Sequence, residues 1–323
     1  MKPTVFIQAN ARQRIGAKIS AYSCKRNSHS PDRFDVKIMM AEDFPRLTQT
    51  GQSILRAGHI REWDPDDLQT FTPLRFAPPT LMGFEGRALV TDPDCFAIGD
   101  VVELLERDMA GKSVWAKPQP GHNGNPNYIA SSVMVLDCAK LRHWDFDPLL
   151  DRLFAHDIDY VDLIELKYED LSDIGFLETE WNSFDTLTRA TKILHITRRR
   201  TQPWKTGLPV DYTLRESGWW DGLRRMWHGT YQPHPDTRQE ALVFTLLGEM
   251  FDHGIVTEDE LVREMGANHI RRDSLELIDR YRGDRSQLAE LRISSILNRG
   301  SASPTPNRRP CQPGSELRRR EAC

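Results

Sequence analysis

Short β-branched apolar runs recur through the first 140 residues, and helical or turn-forming stretches separate them. PTVFIQA (3–9) is followed by helical periodicity from Ile15 to about Cys24, and FDVKIMM (34–40) alternates Phe34, Val36 and Ile38. RALV (87–90) and YIASSVMVLD (128–137) are two more such runs. Strands this short, interleaved with helices, predict an α/β sandwich around a mostly parallel or mixed sheet. The connecting pieces have their own signals. Residues 73–84 predict an irregular helix that Pro78 and Pro79 interrupt. AIGDVVELLERDMAG predicts a helix capped by Asp100, with Glu103 three residues on and Gly111 at the stop. KPQPGHNGNPN (117–127) reads as a loop, and Asp147 to His156 as a helix.

From about Arg215 the pattern becomes helical. TRQEALVFTLLGEMFDHG ends at Gly254, and TEDELVREM and DSLELIDRYRG open with the pairs Thr257/Glu260 and Asp273/Glu276. The sequence therefore divides into an α/β domain over 1–212, a helical extension over 213–298 and a Pro/Ser/Arg-rich tail over 299–323 expected to be disordered.

Composition narrows the function classes. The last 26 residues carry six arginines against two glutamates, so the net charge of -4 resolves into about +4 there and about -8 on the remainder. An acidic body argues against a nucleic-acid binder, which needs a basic face. No apolar run approaches the roughly 20 residues of a membrane span, and MKPTVFIQAN has no secretory leader pattern; a cytoplasmic location is expected. The five cysteines (24, 95, 138, 311 and 323) form no CxxC pair, which disfavours a cysteine metal cage.

In open α/β sheets ligands sit beyond the carboxyl ends of the strands, and RALVTDPD places Asp92 and Asp94 there. Carboxylates at i and i+2 of an extended chain point the same way and can grip one divalent cation, although Asp-Pro-Asp is equally turn vocabulary. KILHITRRRTQPW (192–204) delivers His195 from a strand-like run and follows it with three arginines, whose guanidinium forks suit a diphosphate. Arg75 stands among apolar neighbours 17 residues before Asp92, and HDIDYVDLIELK sets Asp162 between Val161 and Leu163.

Taken in order, these motifs resemble glycosyltransferase family 8, the retaining GT-A group; the resemblance spans roughly residues 3–206. It implies a Rossmann-like mixed sheet flanked by helices, with a C-terminal helical appendage. It assigns Asp92 and Asp94 to the D-x-D motif and His195 to the third ligand of Mn²⁺ or Mg²⁺. Gln8, Asn10 and Arg12 match the nucleoside-holding exit of the first strand, and Arg75 the arginine that meets phosphate and sugar. Ser131 and Ser132 match the strand facing the donor sugar, Asp162 the acid beneath the anomeric carbon, and Asn182 of the Trp181-Asn182 pair a residue near the acceptor. Gln202 and Trp204 fall in the closing K-P-W segment. The pattern is altered in several places: Asn10 replaces an acid, Ala130 an asparagine, Ser132 a glycine and Leu163 a glutamine. The phosphate-binding lysine is missing, and one of Arg198, Arg199 or Arg200 is expected to supply its charge. The implied partners are a nucleotide-sugar donor, UDP-hexose foremost, and a saccharide, lipid-linked or protein acceptor.

Three other readings compete. One is a nucleotide-sugar-binding protein without transfer. Another is a nucleotidyltransferase, disfavoured because QANARQRIGAK (8–18) holds a single glycine. The third is an interaction protein acting through its helices. SGWWDGLRRMWHGTY (217–231) reads as packing against the α/β domain, with peripheral membrane or sugar contact as the alternative.

Overall fold

The computed structural model describes residues 1–65, 67, 70–119, 128–211, 229–283 and 288. Its centre is a six-stranded mixed sheet in the order β2-β1-β5-β8-β7-β9. The strands are β1 (Thr4–Ala9), β2 (Asp35–Met40), β5 (Arg87–Thr91), β7 (Val114–Gln119), β8 (Tyr128–Asp137) and β9 (Ile174–Phe176). β1 runs parallel to both β2 and β5, while β8 lies antiparallel to β5 and β7. The α/β class with a mixed sheet is as the sequence implies. All six residues of β1 are buried, which explains why it reads as a continuous apolar run without alternation.

A hairpin, β3 (Ser53–Arg56) and β4 (His59–Glu62), lies to one side. A second, three-stranded sheet is ordered β10-β11-β6, from β6 (Cys95–Ala97), β10 (Ser183–Phe184) and β11 (Ile193–His195). β6 follows directly on the D-P-D triplet, and its register pairs Cys95 with His195.

Local expectations fail in three places. The helix expected from Asp100 to Gly111 shrinks to Val102–Leu105, because Asp108 accepts from the Ala110 backbone N–H (2.9 Å) and Ala110 adopts φ 48°, turning the chain out of the helix. Lys117 to Gln119, read as loop, extend β7, with Pro118 paired to Ile129 past a register shift; 120–127 lie outside the described residues. Asp273 does not close its expected capping box; its carboxylate takes a fork from Arg271 at 2.6 and 2.8 Å.

Helix Thr237–Asp252 buries Ala241, Leu242, Val243, Phe244, Leu246, Leu247 and Met250. That face packs with Ile15 and Ile19 of helix Arg14–Arg26, Phe96 of β6, Leu194 of β11 and Trp204. A buried ion pair, Arg26 Nε to Glu249 Oε2 at 2.8 Å, crosses the same contact. The C-terminal helices thus share one apolar core with the wall behind β6 and β11. Thr257 caps helix Glu258–Gly266 as expected, and Gly254 takes φ 68° just past the end of the preceding helix. Among the described residues, no helix is long and apolar enough to cross a membrane. The Trp-rich stretch up to residue 228 and the tail 299–323 lie outside the described residues.

Candidate functional site

β5 ends at Thr91 and the chain turns at once, with the Cys95 N–H donating to the Asp92 carbonyl at 3.1 Å. The D-P-D triplet is therefore a turn and not an extended segment. Its two carboxylates converge all the same, because each end of the turn is tied. The Asp92 N–H donates to the Ser132 carbonyl of β8 (3.1 Å), and the Asp94 carbonyl accepts from the Ile196 N–H (3.0 Å) just past β11. Helix Arg14–Arg26 passes so close that a Cβ on Gly16 would lie 2.8 Å from the Pro93 carbonyl oxygen. A glycine is required there.

The pairing of β6 with β11 brings His195 to the two aspartates, its Nε2 3.4 Å from Asp94 Oδ1 and 4.0 Å from Asp92 Oδ2. His195 Nδ1 donates to Asn182 Oδ1 at 3.0 Å, and Asn182 in turn donates to the Ser132 hydroxyl at 3.0 Å. That bond at Nδ1 leaves Nε2 as the ring nitrogen facing Asp94, the orientation a metal-binding imidazole needs. Asp94 is held from its other oxygen: Gln202 Nε2 donates to Oδ2 at 3.2 Å, and Gln13 Nε2 donates to Gln202 Oε1 at 3.3 Å. Asp94 Oδ1 is buried and has no hydrogen-bond donor. A buried carboxylate oxygen without a donor, 3.4 Å from a ring nitrogen, is a pair of atoms that one cation could bind.

Asp92 is engaged differently. Arg75 forks onto it, Nε to Oδ1 at 2.9 Å and Nη2 to Oδ2, and Gln8 Nε2 also donates to Oδ1. The third arm of Arg75, Nη1, reaches the Ser131 hydroxyl at 2.9 Å. Burial pushes the Asp92 carboxyl above its ordinary range, Arg75 opposes this and the charge on Asp94 adds to it. One guanidinium does not compensate two neighbouring carboxylates, so the donor set and its charge both suit a divalent ion.

These groups line one end of a cavity of about 600 Å³, a size that accommodates a nucleotide-scale ligand. Of the residues singled out in the sequence, Arg75, Asp92, Asp94, Ser131, Ser132, His195 and Gln202 line it. Gln8 and Asn182 lie directly behind, bonded to lining residues. Five others stand apart from the lining. Asn10 is buried and donates to the Asp67 carbonyl, Arg12 donates to the Asp211 carbonyl, and Trp204 is fully buried edge-on against Phe96. Arg198 is exposed and reaches toward Asp185 (3.9 Å), so of the three arginines it is Arg199 that lines the cavity. Asp162, at 40% side-chain exposure, pairs with Lys167 at 2.8 Å.

The cavity is also lined by residues to which the sequence motifs gave no role. Glu165 and Lys167 line it, ion-paired to each other at 2.8 Å, together with Tyr128 at the start of β8. Glu165 and Lys167 lie in the same acidic stretch as Asp162, three and five residues on, but the helix ends at Ile164 and Leu166 takes φ 56°, so helical spacing does not nominate them. Phe184 closes over His195 edge-on with ring centroids 5.1 Å apart, and Lys117 sits over the Phe184 ring at 4.5 Å while donating to the Asn182 carbonyl at 2.9 Å. Burial lowers the Lys117 pKa below its ordinary value. No local signal marks Phe184 or Lys117.

No protein-family model and no curated protein sequence matches the chain. Among solved structures it is similar to the WbbM bifunctional glycosyltransferase (TM-score 0.43, 14% identity, covering 63% of this chain and 47% of that one). It is also similar to GlyE of Streptococcus pneumoniae TIGR4 (0.42, 16% identity, 79% and 64%) and to galactosyltransferase LgtC crystallised with donor and acceptor sugar analogues (0.41, 10% identity, 73% and 99%). The chain thus spans about half of WbbM's length and just under two-thirds of GlyE's. All three TM-scores lie below 0.5, so the activity proposed below rests on this chain's own residues.

Proposed function

We propose that the protein is a cation-dependent glycosyltransferase of the GT-A, family 8 type. It would transfer a hexose from a nucleotide sugar, UDP-glucose or UDP-galactose foremost, to a saccharide, lipid-linked or protein acceptor in the cytoplasm, with retention at the anomeric carbon. The observation that carries this reading is the convergence of Arg75, Asp92, Asp94 and His195 on one end of a cavity of about 600 Å³.

A bound Mn²⁺ or Mg²⁺ would neutralise charge on the diphosphate as the sugar leaves. Asp94 and His195, beside Asp92, would hold the ion, with Asn182 and Gln202 fixing the orientations of His195 and Asp94. Arg75, clamped by Asp92 and Ser131, keeps a permanent positive charge on the wall where the leaving diphosphate gathers negative charge, and Arg199 adds a second. Phe184, edge-on to His195, would cover the cation side of the cavity. Glu165 and Lys167, ion-paired to each other in the lining, would orient the sugar and the acceptor hydroxyl by hydrogen bonds.

One observation favours a second reading, binding without transfer. Ala130 and Ser132 line the donor side in place of an amide and a glycine, and Asp162 stands away from the lining. The test is to incubate purified protein and Mn²⁺ with UDP-glucose, UDP-galactose, UDP-N-acetylglucosamine and GDP-mannose, and to record both thermal shift and release of nucleoside diphosphate. Release that disappears in the Asp92→Ala, Asp94→Ala double variant supports transfer chemistry, and release that survives in that variant sinks it. Thermal shift without release from any donor supports the second reading.

A further inference from the structure

Of the three cationic side chains that line the cavity, Arg75, Lys167 and Arg199, the first two are tied to carboxylates. Arg75 directs Nε and Nη2 to Asp92 and Nη1 to the Ser131 hydroxyl, and Ser131 donates onward to the Ile164 carbonyl at 2.5 Å. Ile164 is the last residue of its helix, and Glu165 and Lys167 come immediately after it. The chain Arg75–Ser131–Ile164 therefore sets the Glu165–Lys167 pair beside the arginine, where a sugar attached to a diphosphate at Arg75 meets it.

Lys167 does not offer that sugar an unopposed charge. Its Nζ lies 2.8 Å from Asp162 Oδ1 and 2.8 Å from Glu165 Oε2. Asp162 first, and then Glu165, hold the Lys167 pKa above its ordinary value. One ammonium between two carboxylates leaves the triad with a net negative charge. Burial and the charge of Glu165 push the Tyr128 phenol up as well, so it stays a neutral hydrogen-bonding group. This wall presents donors and acceptors suited to hydroxyl groups and no excess positive charge for an anion. Across the whole lining Arg75, Lys167 and Arg199 are matched in number by Asp92, Asp94 and Glu165, so the two charges of a divalent ion balance a diphosphate and leave none for a further acid.

We infer that the Asp162–Lys167–Glu165 triad makes the donor pocket selective for an uncharged sugar, accepting a hexose with a hydroxymethyl group at C6 and rejecting the uronic acid that carries a carboxylate there. A carboxylate entering beside the triad meets a like charge, and at these partly exposed positions the repulsion lowers affinity by a factor on the order of 10. Asp162 acts from outside the lining, through Lys167, as a specificity-determining residue. The inference rests on the proposed nucleotide-sugar reading, and its test separates the two.

The experiment is a calorimetric titration of the full-length protein, in Mn²⁺, with UDP, UDP-glucose and UDP-glucuronic acid at low and at high salt. The wild type is expected to bind UDP-glucose at least about 10-fold more tightly than UDP-glucuronic acid at low salt, with the ratio shrinking as salt screens the triad. Asp162→Asn removes one carboxylate without altering the lining, and should reduce the ratio by about 3- to 10-fold. Glu165→Gln should reduce it too, and Lys167→Met, which leaves two carboxylates unopposed, should widen it. A ratio taken within one variant cancels any loss common to both sugars, and circular dichroism establishes that each variant is folded. Equal or reversed affinities in the wild type, with UDP itself bound, overturn the inference and leave the nucleotide-sugar reading standing. A ratio that neither salt nor Asp162→Asn moves also overturns it, by assigning the discrimination to shape. No binding of UDP or of either sugar nucleotide would sink the nucleotide-sugar reading and the inference with it.

Discussion

The two ends of the cavity are built to different tolerances. At the cation end, His195, Asp94 and Asp92 each have an amide or guanidinium partner, and the supporting Asn182, Gln202, Gln13 and Gln8 are all at most 1% exposed. Around Glu165 and Lys167, by contrast, Lys167, Asp162 and Glu165 keep 45, 40 and 25% of their side chains exposed and rely on one another. Buried hydrogen-bonded groups hold one geometry because leaving any of them unpaired is costly, whereas solvated ion pairs rearrange at little cost. The contrast indicates that the geometry around His195, Asp92 and Asp94 is set by the fold, while the Glu165–Lys167 side can be retuned by substitution.

The largest effect that would test this contrast is His195→Ala. Loss of a proposed ligand should weaken Mn²⁺ binding by more than about 100-fold, read by electron paramagnetic resonance or calorimetric titration. Next come the supporting amides. Asn182→Ala and Gln202→Ala leave every ligand in place but unorient His195 and Asp94, so cation affinity should fall by about 10- to 100-fold, with Asn182→Ala larger because it also frees Ser132. Affinity unchanged in both would break the claim that orientation matters here.

Backbone tolerance is probed by Gly16→Ala, whose Cβ would press on the Pro93 carbonyl at 2.8 Å. A loss of roughly 1–3 kcal/mol in chemical denaturation is expected, together with weaker cation binding as the turn shifts.

Asp159→Ala addresses the scaffold beside the sugar end. Asp159 caps helix Tyr160–Ile164 through the Val161 N–H (2.7 Å) and grips the β3–β4 turn through the Ala57 (3.0 Å) and Gly58 (2.8 Å) N–H groups. Burial works to raise its pKa, but those backbone donors hold it below the ordinary carboxylate value. A depressed native pKa contributes stability that is present above the unfolded value, near 4, and is lost as pH falls through the native one. The variant should therefore be about 1–2 kcal/mol less stable at pH 7, with the gap narrowing as the pH drops below about 4. The smallest effect is expected from Asp162→Asn, within about 5-fold in turnover, because a half-exposed ion pair contributes little. A loss above about 100-fold, roughly 2.7 kcal/mol of barrier, would show that the sugar end tolerates as little change as the cation end.

Much of this contrast can be traced to what a linear reading can see. β1, β5 and β8 are legible because burial on both faces gives largely apolar runs without alternation, and the D-P-D triplet is legible because it terminates one of them. His195 could be nominated from its strand and the arginines that follow. Gln13, Gly16, Lys117 and Phe184 could not, since each matters only through a partner distant in the chain. The helix expected over 100–111 failed for a local reason, as Asp108 offered the backbone a competing hydrogen bond that a pattern of caps and apolar residues does not weigh.

The sequence alone determined the α/β class, the position of two carboxylates at a strand exit and the presence of a histidine and arginines able to join them. Those features depend on local periodicity and residue chemistry. The tertiary structure decided how the carboxylates divide their work. Strand pairing put Cys95 and His195 side by side, and burial left Asp92 with Arg75 and Asp94 with an oxygen open, an outcome set by which donors long-range packing brought within about 3 Å of each.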